Sequence, residues 1–197
     1  MQVKKDEIRD EILAASEKEF LKRGFKNSSM RTIATKSHTT LGNLYNYFEN
    51  KEAILDAIIG NTPEQIFQVI QEHENAASST LEFSKEYLEE HFSEITSSEL
   101  SQLFPLDLLL SNPLIILMEG CEGTKYEPYR ELFLTQFQKH LAIHLNVDPN
   151  SFLAKSIVLG FVSTLLFIAK NKKNMEEAKK DLVAYIKTMT LGLPMPK

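Results

Sequence analysis

The chain has 197 residues with a formal net charge of −5, and apolar residues make up 43% of it. That length fits one large domain or two small ones, and that apolar share excludes a disordered chain. The single cysteine, Cys121, excludes an internal disulfide framework and a thiolate zinc cluster within one chain. We therefore expect a reducing, cytoplasmic compartment, no metal and no cofactor.

The charge is unevenly distributed along the chain. Residues 1–52 contain ten basic and eight acidic residues, whereas residues 53–197 contain twelve and nineteen. Between positions 24 and 51 the basic residues are Lys26, Arg31, Lys36 and Lys51, and Glu49 is the single acidic residue. This asymmetry predicts two roles in one chain, and we place the boundary between the two domains after residue 52.

The N-terminal domain is predicted to be helical throughout, because helix formers dominate and apolar residues recur at helical spacing. The first helix spans residues 3–22 and ends before Gly24. Three short helices follow, and their predicted N-caps are Ser28 or Ser29, Thr40 and Asn50. The last of them ends at Gly60.

The larger domain is also predicted to be helical. Its expected helices lie at about 63–75, 79–95, 99–111, within 112–128, 126–146, 150–170 and 174–191. Thr62 and Pro63 read as an N-cap and a first helical residue, so we expect a break in the helix between Gly60 and Pro63. Asp148 and Pro149 likewise predict an N-cap followed by a proline at the first position of a helix.

The most apolar stretch, SFLAKSIVLGFVSTLLFIAK at 151–170, is long enough to cross a bilayer. Lys155, Ser156, Ser163 and Thr164 interrupt it, and the neighbouring segments show no membrane pattern. We interpret it as a buried or subunit-facing helix and expect no membrane association.

Residues 28–48 fit two short helices separated by about three non-helical residues, which is the helix-turn-helix layout. Ile33, Ala34, Leu44 and Phe48 are expected to face the core. The second helix then presents mostly polar or flat side chains outward, and Gly42 removes a side chain where another surface approaches. Such a helix suits the major groove of duplex DNA, with its base edges and phosphates.

Three motifs in this region share typed residues at fixed spacing with a known family. They are SSMRTIA at 28–34, TLGNLYNYF at 40–48 and KEAIL at 51–55. Over residues 8–55 the chain thereby resembles the TetR/AcrR family of bacterial transcriptional regulators. It differs at the turn, where His38 stands at the usual glycine of the family. If that position requires a positive φ, histidine is a poorer but tolerated residue.

The resemblance implies an all-α protein with a three-helix DNA-binding domain, a larger helical bundle (about nine helices) and a homodimer through the last two helices. It implies a ligand-responsive regulator, most often a repressor, that binds a palindromic double-stranded DNA operator. The implied DNA-contacting residues are Ser29, Arg31, Thr39, Thr40, Leu41, Gly42, Asn43, Tyr45, Asn46, Tyr47 and Lys51. Of these, Thr40, Tyr45, Tyr47 and Lys51 are expected to hold phosphates.

The composition of the penultimate helix independently allows a dimer interface. Its apolar face carries Ile157, Val158, Phe161, Leu165 and Ile168, with small Gly160 and Ala169 for close packing.

An effector pocket is expected in the larger domain, lined by aromatic and sulfur-containing side chains that favour a small apolar or aromatic ligand. The residues predicted for it are Phe83, Tyr87, Phe104, Leu108, Met118, Cys121, Tyr126, Phe133, Phe137 and Phe161. Taken singly, each of them fits a plain core position better than a pocket wall.

Other functions are weighed against this one. No glycine-rich phosphate loop, G-x-S-x-G or H-E-x-x-H motif occurs, so we predict no enzyme. His140 and His144 lie four residues apart but lack a third metal ligand nearby. Cys121 is either an oxidant sensor or, as we favour, an inert core residue. The alternative function is a helical protein-binding adaptor with no affinity for DNA.

Overall fold

The computed structural model describes residues 2–79, 105–145 and 147–192, and every regular element in these ranges is an α-helix. The first five helices are α1 Gln2–Arg23, α2 Met30–Lys36, α3 Leu41–Tyr45, α4 Lys51–Ile59 and α5 Thr62–Ser79. The other five are α6 Leu106–Leu109, α7 Asn112–Glu119, α8 Tyr129–Leu145, α9 Phe152–Asn171 and α10 Met175–Gly192. The predicted all-α fold class is confirmed.

Three predicted N-caps are confirmed and two predicted starts differ from the structure, the first being that of α5, which includes Thr62 as its first residue. Ser29, Thr40 and Asn50 are the N-caps of α2, α3 and α4, as the sequence predicted. The start predicted at Asp148 and Pro149 is wrong: Ser151 caps α9 by accepting a hydrogen bond from the Ala154 amide at 3.2 Å. Asp148 instead accepts a hydrogen bond from the Asn150 amide, forming a turn ahead of the helix. Apart from its first position, 79, the helix predicted at 79–95 lies outside the described residues.

The break predicted between Gly60 and Pro63 is confirmed. α4 ends at Ile59, Gly60 has φ +55°, and α5 begins at Thr62. A positive φ is a conformation that glycine adopts without the steric cost that other residues meet, so Gly60 suits the end of α4.

The chain divides into two compact units. We call residues Met1–Pro63 and Asn112–Arg130 the N-terminal unit, and residues Glu64–Ser111 and Glu131–Lys197 the C-terminal unit. The N-terminal unit therefore contains more than residues 1–52, because α4 and the segment 112–130 pack with the first helices. The functional boundary after residue 52 stays a prediction.

The core of the N-terminal unit forms where α1 packs against α2, α4 and α7. Ile12, Phe20, Ile54 and Leu55 are at most 1% exposed there. A buried acid also joins two helices: Glu19 of α1 is ion-paired with Lys36 of α2 and, at 3.4 Å, with Arg23. A carboxylate with two cationic partners is an acceptable buried group, and this one ties α2 to α1.

The segment after α7 is fastened to the same unit by polar contacts. The Phe25 amide donates a hydrogen bond to the Gly120 carbonyl at 2.7 Å, and Lys125 pairs with Asp56 of α4 at 2.8 Å. Cys121 lies between these contacts and is 3% exposed, and burial raises the pKa of its thiol to about 12. The thiol is thus protonated at neutral pH, which favours the inert-cysteine interpretation.

Among the described residues of the C-terminal unit, a row of aromatic rings and an ion pair join separate helices. The ring centroid of Phe137 on α8 lies 5.0 Å from that of Phe161 on α9. The ring centroid of Phe161 lies 6.1 Å from that of Tyr185 on α10. Lys179 of α10 pairs with Asp107 of α6 at 2.9 Å. The row connects α8, α9 and α10 through flat side chains.

Helix α9 has two apolar faces, and the face predicted for the dimer interface is largely the wrong one. Ile157, Val158 and Leu165 are 9%, 1% and 1% exposed, so they belong to the core of the protomer. The exposed apolar residues are instead Phe152, Leu153, Leu159 and Phe167. Among the described helices, α9 alone is long and apolar enough to cross a membrane. Of its most apolar stretch of 18 residues, 39% is buried inside the protein.

Candidate nucleic-acid interface

Helix α2 begins at a side-chain cap that also belongs to the predicted contact surface. The hydroxyl of Ser29 accepts a hydrogen bond from the Thr32 amide at 3.1 Å, which satisfies one of the free donors of the first turn. Ile33 and Ala34 are buried beneath the helix, whereas Ser29 and Arg31 are exposed. The start of α2 therefore offers a hydroxyl and a guanidinium to a partner.

The turn after α2 is a Schellman motif with histidine in the position that glycine usually fills. His38 has φ +52°, its amide donates to the Thr35 carbonyl at 3.3 Å, and the Thr39 amide donates to the Ala34 carbonyl at 3.0 Å. These are the two hydrogen bonds that define the motif. The positive φ anticipated at position 38 is confirmed.

This geometry predicts the stability of a matched pair of variants. Because a Cβ atom in the left-handed region costs about 1 kcal/mol, His38→Gly should unfold at a higher urea concentration than His38→Ala. We expect a difference in unfolding free energy of about 1 kcal/mol, measured by urea titration of both purified proteins. Equal stability of the two variants would contradict the left-handed conformation at this position.

Helix α3 is short, and two side chains anchor it. Leu44 is 0% exposed and Phe48, just past its end, is 5% exposed. At the other end, the Thr40 hydroxyl accepts a hydrogen bond from the Asn43 amide at 3.1 Å. With its cap and its anchors satisfied inside the unit, the opposite side of α3 is available to a partner.

The outer side of α3 carries the predicted contact residues. Thr40, Gly42, Tyr45 and Asn46 are exposed, and Tyr45 keeps 51% of its surface open. Leu41, Asn43, Tyr47 and, ahead of the helix, Thr39 are half-buried. Apart from the backbone of α3 itself, no atom of the described residues lies within 4 Å of where a Cβ on Gly42 would stand, so no contact in this part of the chain requires a glycine there.

One contact on this surface was not predicted from the sequence. The side-chain amide of Asn43 donates a hydrogen bond to the Thr39 hydroxyl at 2.7 Å. The contact fixes the orientation of Asn43 and leaves its carbonyl oxygen and one amide hydrogen for another partner. The spacing of four residues across a helix start was the signal that could have revealed it.

Lys51, the last of the predicted contacts, is half-buried, and its ammonium binds main-chain carbonyls of the N-terminal unit. The Nζ atom donates to the Phe25 carbonyl at 2.6 Å and to the Ser28 carbonyl at 2.7 Å, and lies 4.0 Å from the centre of the Phe25 ring. Burial lowers the pKa of this ammonium from its ordinary value. Its contact with a phosphate stays a prediction.

The residues predicted for an effector pocket fall into both units. Met118, Cys121 and Tyr126 are buried in the N-terminal unit, whereas Leu108, Phe133, Phe137 and Phe161 belong to the C-terminal unit. Phe83, Tyr87 and Phe104 lie outside the described residues. A cavity of about 260 Å³ lies between the ends of α1 and α7, and none of the ten residues lines it. The ring of His140 stacks on Phe137 at 6.3 Å.

An anchored inner face, a capped start and a polar outer face define α2 and α3 as a helix-turn-helix of the DNA-binding class. Residues 12–58 match the family model described as "Bacterial regulatory proteins, tetR family". The chain thus carries the N-terminal domain of the TetR family of bacterial regulatory proteins, which confirms the resemblance seen in its motifs. Members of this family are DNA-binding transcriptional regulators.

Two solved structures are similar to this chain at low sequence identity. A transcriptional regulator ("TerR/AcrR family") from Aquifex aeolicus VF5 is 21% identical with a TM-score of 0.51, over 92% of this chain and 99% of that one. NalD, the secondary repressor of the MexAB-OprM multidrug efflux pump in Pseudomonas aeruginosa, is 20% identical with a TM-score of 0.49, over 95% and 98%. A comparison with curated proteins gave no significant match.

Proposed function

We propose that this protein is a ligand-responsive transcriptional regulator, a repressor, that binds a palindromic operator as a homodimer in the cytoplasm. Residues 1–52 are its DNA-binding domain, and residues 53–197 bind the effector and the second subunit. The observation that carries the proposal is the outer side of α3, where exposed hydroxyl, amide and phenol groups surround a glycine with open space above it.

On this proposal the chemistry of the outer side divides into two roles. The hydroxyls of Thr40, Tyr45 and Tyr47 donate hydrogen bonds to operator phosphates, which fix the position of the helix. Leu41, Asn43 and Asn46 face base edges, with Ser29 and Arg31 at the start of α2 beside them. An amide side chain can pair with adenine, and a leucine can contact the methyl group of thymine.

Gly42 provides the sharpest test, because substitution should change stability and DNA affinity in opposite directions. Gly42→Ala should stabilise α3 by about 0.5–1 kcal/mol, since alanine has the higher helix propensity and the new Cβ clashes with none of the residues that the structure describes. The same Cβ should weaken operator binding about tenfold or more, because it occupies the space of the approaching duplex.

The operator for this measurement comes from selection of bound duplexes from a random pool, followed by titration. An enriched palindrome supports the proposal. Failure to bind any duplex at low salt, or binding without dependence on salt, contradicts it and leaves the protein-binding adaptor as the alternative. Unchanged operator affinity of Gly42→Ala would contradict the placement of α3.

The dimer interface follows from the exposed face of α9. Phe152, Leu159 and Phe167 lie along this face at helical spacing and are 89%, 53% and 68% exposed. Gly160 is also exposed there, so a second helix can approach closely. A contiguous row of large apolar side chains on the surface indicates a protein–protein interface. In this interface each subunit contributes α9 and α10, so the dimer forms a four-helix bundle.

We place the effector among apolar and aromatic side chains of the C-terminal unit. Phe133 stacks on Phe137, and Phe161 meets Phe137 at a tilt, so these three rings form an aromatic cluster suited to a small apolar or aromatic molecule. An effector that binds there regulates the operator by changing the distance between the two α3 helices, which must lie about 35 Å apart to fit successive major grooves.

A further inference from the structure

The peptide unit of Phe25 lies at a junction of three segments of the N-terminal unit. Its N–H donates to the Gly120 carbonyl at 2.7 Å, and its carbonyl accepts from the Ser28 amide at 3.1 Å and from Lys51 Nζ at 2.6 Å. The turn between α1 and α2, the start of α4 and the segment after α7 therefore meet at one residue.

The ammonium of Lys51 is well satisfied in this junction. An ammonium has three donors, and two of them are used by the carbonyls of Phe25 and Ser28. The face of the Phe25 ring, itself 5% exposed, lies against the same charge. The two carbonyls and the ring together hold the ammonium at the turn, so moving it away from the turn would break these contacts.

The turn that Lys51 holds leads directly into the DNA-contacting surface. Ser28 is 6% exposed and its hydroxyl donates to the Gly24 carbonyl at 2.7 Å. The next residue, Ser29, caps α2, and Arg31 lies in the first turn of that helix. The position of both contact residues thus depends on a turn whose two carbonyls are joined by one side chain.

We infer that Lys51 is a positioning residue of DNA binding, which holds the turn at 25–28 and thereby the start of α2, and that it does not neutralise an operator phosphate. This inference rests on the proposed function and replaces the phosphate contact that the sequence predicts for Lys51. Loss of the side chain misplaces Ser29 and Arg31 without removing a charge from the interface with DNA.

The salt dependence of operator binding separates the two roles. Each lysine or arginine contact with a phosphate contributes about 0.9 to the slope of log K against log salt, hence roughly 1.8 for a dimer. Lys51→Met should weaken operator binding about 10–100-fold, as expected for loss of hydrogen bonds from a charged group, and leave the slope unchanged.

The matched control is Arg31→Met, which removes an exposed charge from the contact surface itself and should make the slope shallower. Lys51→Arg keeps the charge but replaces the compact ammonium by a planar guanidinium that fits two converging carbonyls poorly. It should lose nearly as much affinity as Lys51→Met. Phe25→Leu, a change at a buried residue with no charge, should act in the same direction with an unchanged slope.

Hydrogen exchange of the free proteins distinguishes positioning from general destabilisation. We expect faster exchange in Lys51→Met confined to residues 24–32, whereas faster exchange throughout α1–α4 would overturn the inference. A shallower slope for Lys51→Met, or wild-type affinity for Lys51→Arg, would also overturn it. Failure of the wild-type protein to bind any duplex would instead contradict the proposed function.

Discussion

Leu159→Glu should convert the protein into a folded monomer that binds its operator at least about 100-fold more weakly. Leu159 is 53% exposed in the protomer, so glutamate is tolerated there in an isolated chain. In a two-fold dimer through α9 the substitution buries two unpaired carboxylates, which costs several kcal/mol. In the proposed function each subunit contacts one half of a palindrome, so loss of the dimer would remove half of the contacts with DNA.

Leu132→Glu is the matched control, because Leu132 on α8 is exposed to nearly the same extent, 50%, and lies outside α9 and α10. Analytical ultracentrifugation of both variants should give a monomer for Leu159→Glu and the wild-type mass for Leu132→Glu. A dimer with normal affinity in Leu159→Glu would show that subunits associate through another surface.

Leu44→Ala should have the largest effect on the DNA-binding domain. Leu44 is 0% exposed and is the leucine of α3 that faces the core. Its truncation therefore leaves a cavity beneath α3, a helix of only five residues with few other core contacts. We expect a loss of about 3 kcal/mol in unfolding free energy, and faster hydrogen exchange of α2 and α3. Operator binding should fall with it, because α3 loses its anchor.

Leu41→Ala, on the same helix, gives the contrast. Leu41 is half-buried and faces the predicted bases, so we expect a stability within about 1 kcal/mol of wild type and an altered base preference at one position of each half-site. Urea titration and repeated duplex selection measure both quantities. Equal destabilisation by the two substitutions would mean that the inner and outer faces of α3 have been assigned incorrectly.

Local chemistry in the sequence predicted the elements of the DNA-binding domain well. A serine, a threonine or an asparagine before a short apolar pattern located the caps Ser29, Thr40 and Asn50, because capping depends on residues three positions apart. Gly60 likewise located the end of α4. The inner residues Leu44 and Phe48 followed from helical spacing alone.

Contacts between distant segments could not be predicted in this way. The acceptors of Lys51 are main-chain carbonyls 23 and 26 positions away, and every residue has a carbonyl, so no side-chain pattern indicates them. The partner of the Phe25 amide, Gly120, is farther still. On α9 both faces are apolar, and composition could not tell which of them the protomer itself covers.

The inclusion of residues 112–130 in the N-terminal unit limits how the protein can be dissected. A fragment ending at residue 63 would leave α1 and α4 without the helix α7 that packs against both of them. The Phe25 amide would also lose its acceptor, the Gly120 carbonyl, and Asp56 would lose its ion-pair partner Lys125. A chimaera that joins this helix-turn-helix domain to another ligand-binding domain should therefore include residues 112–130.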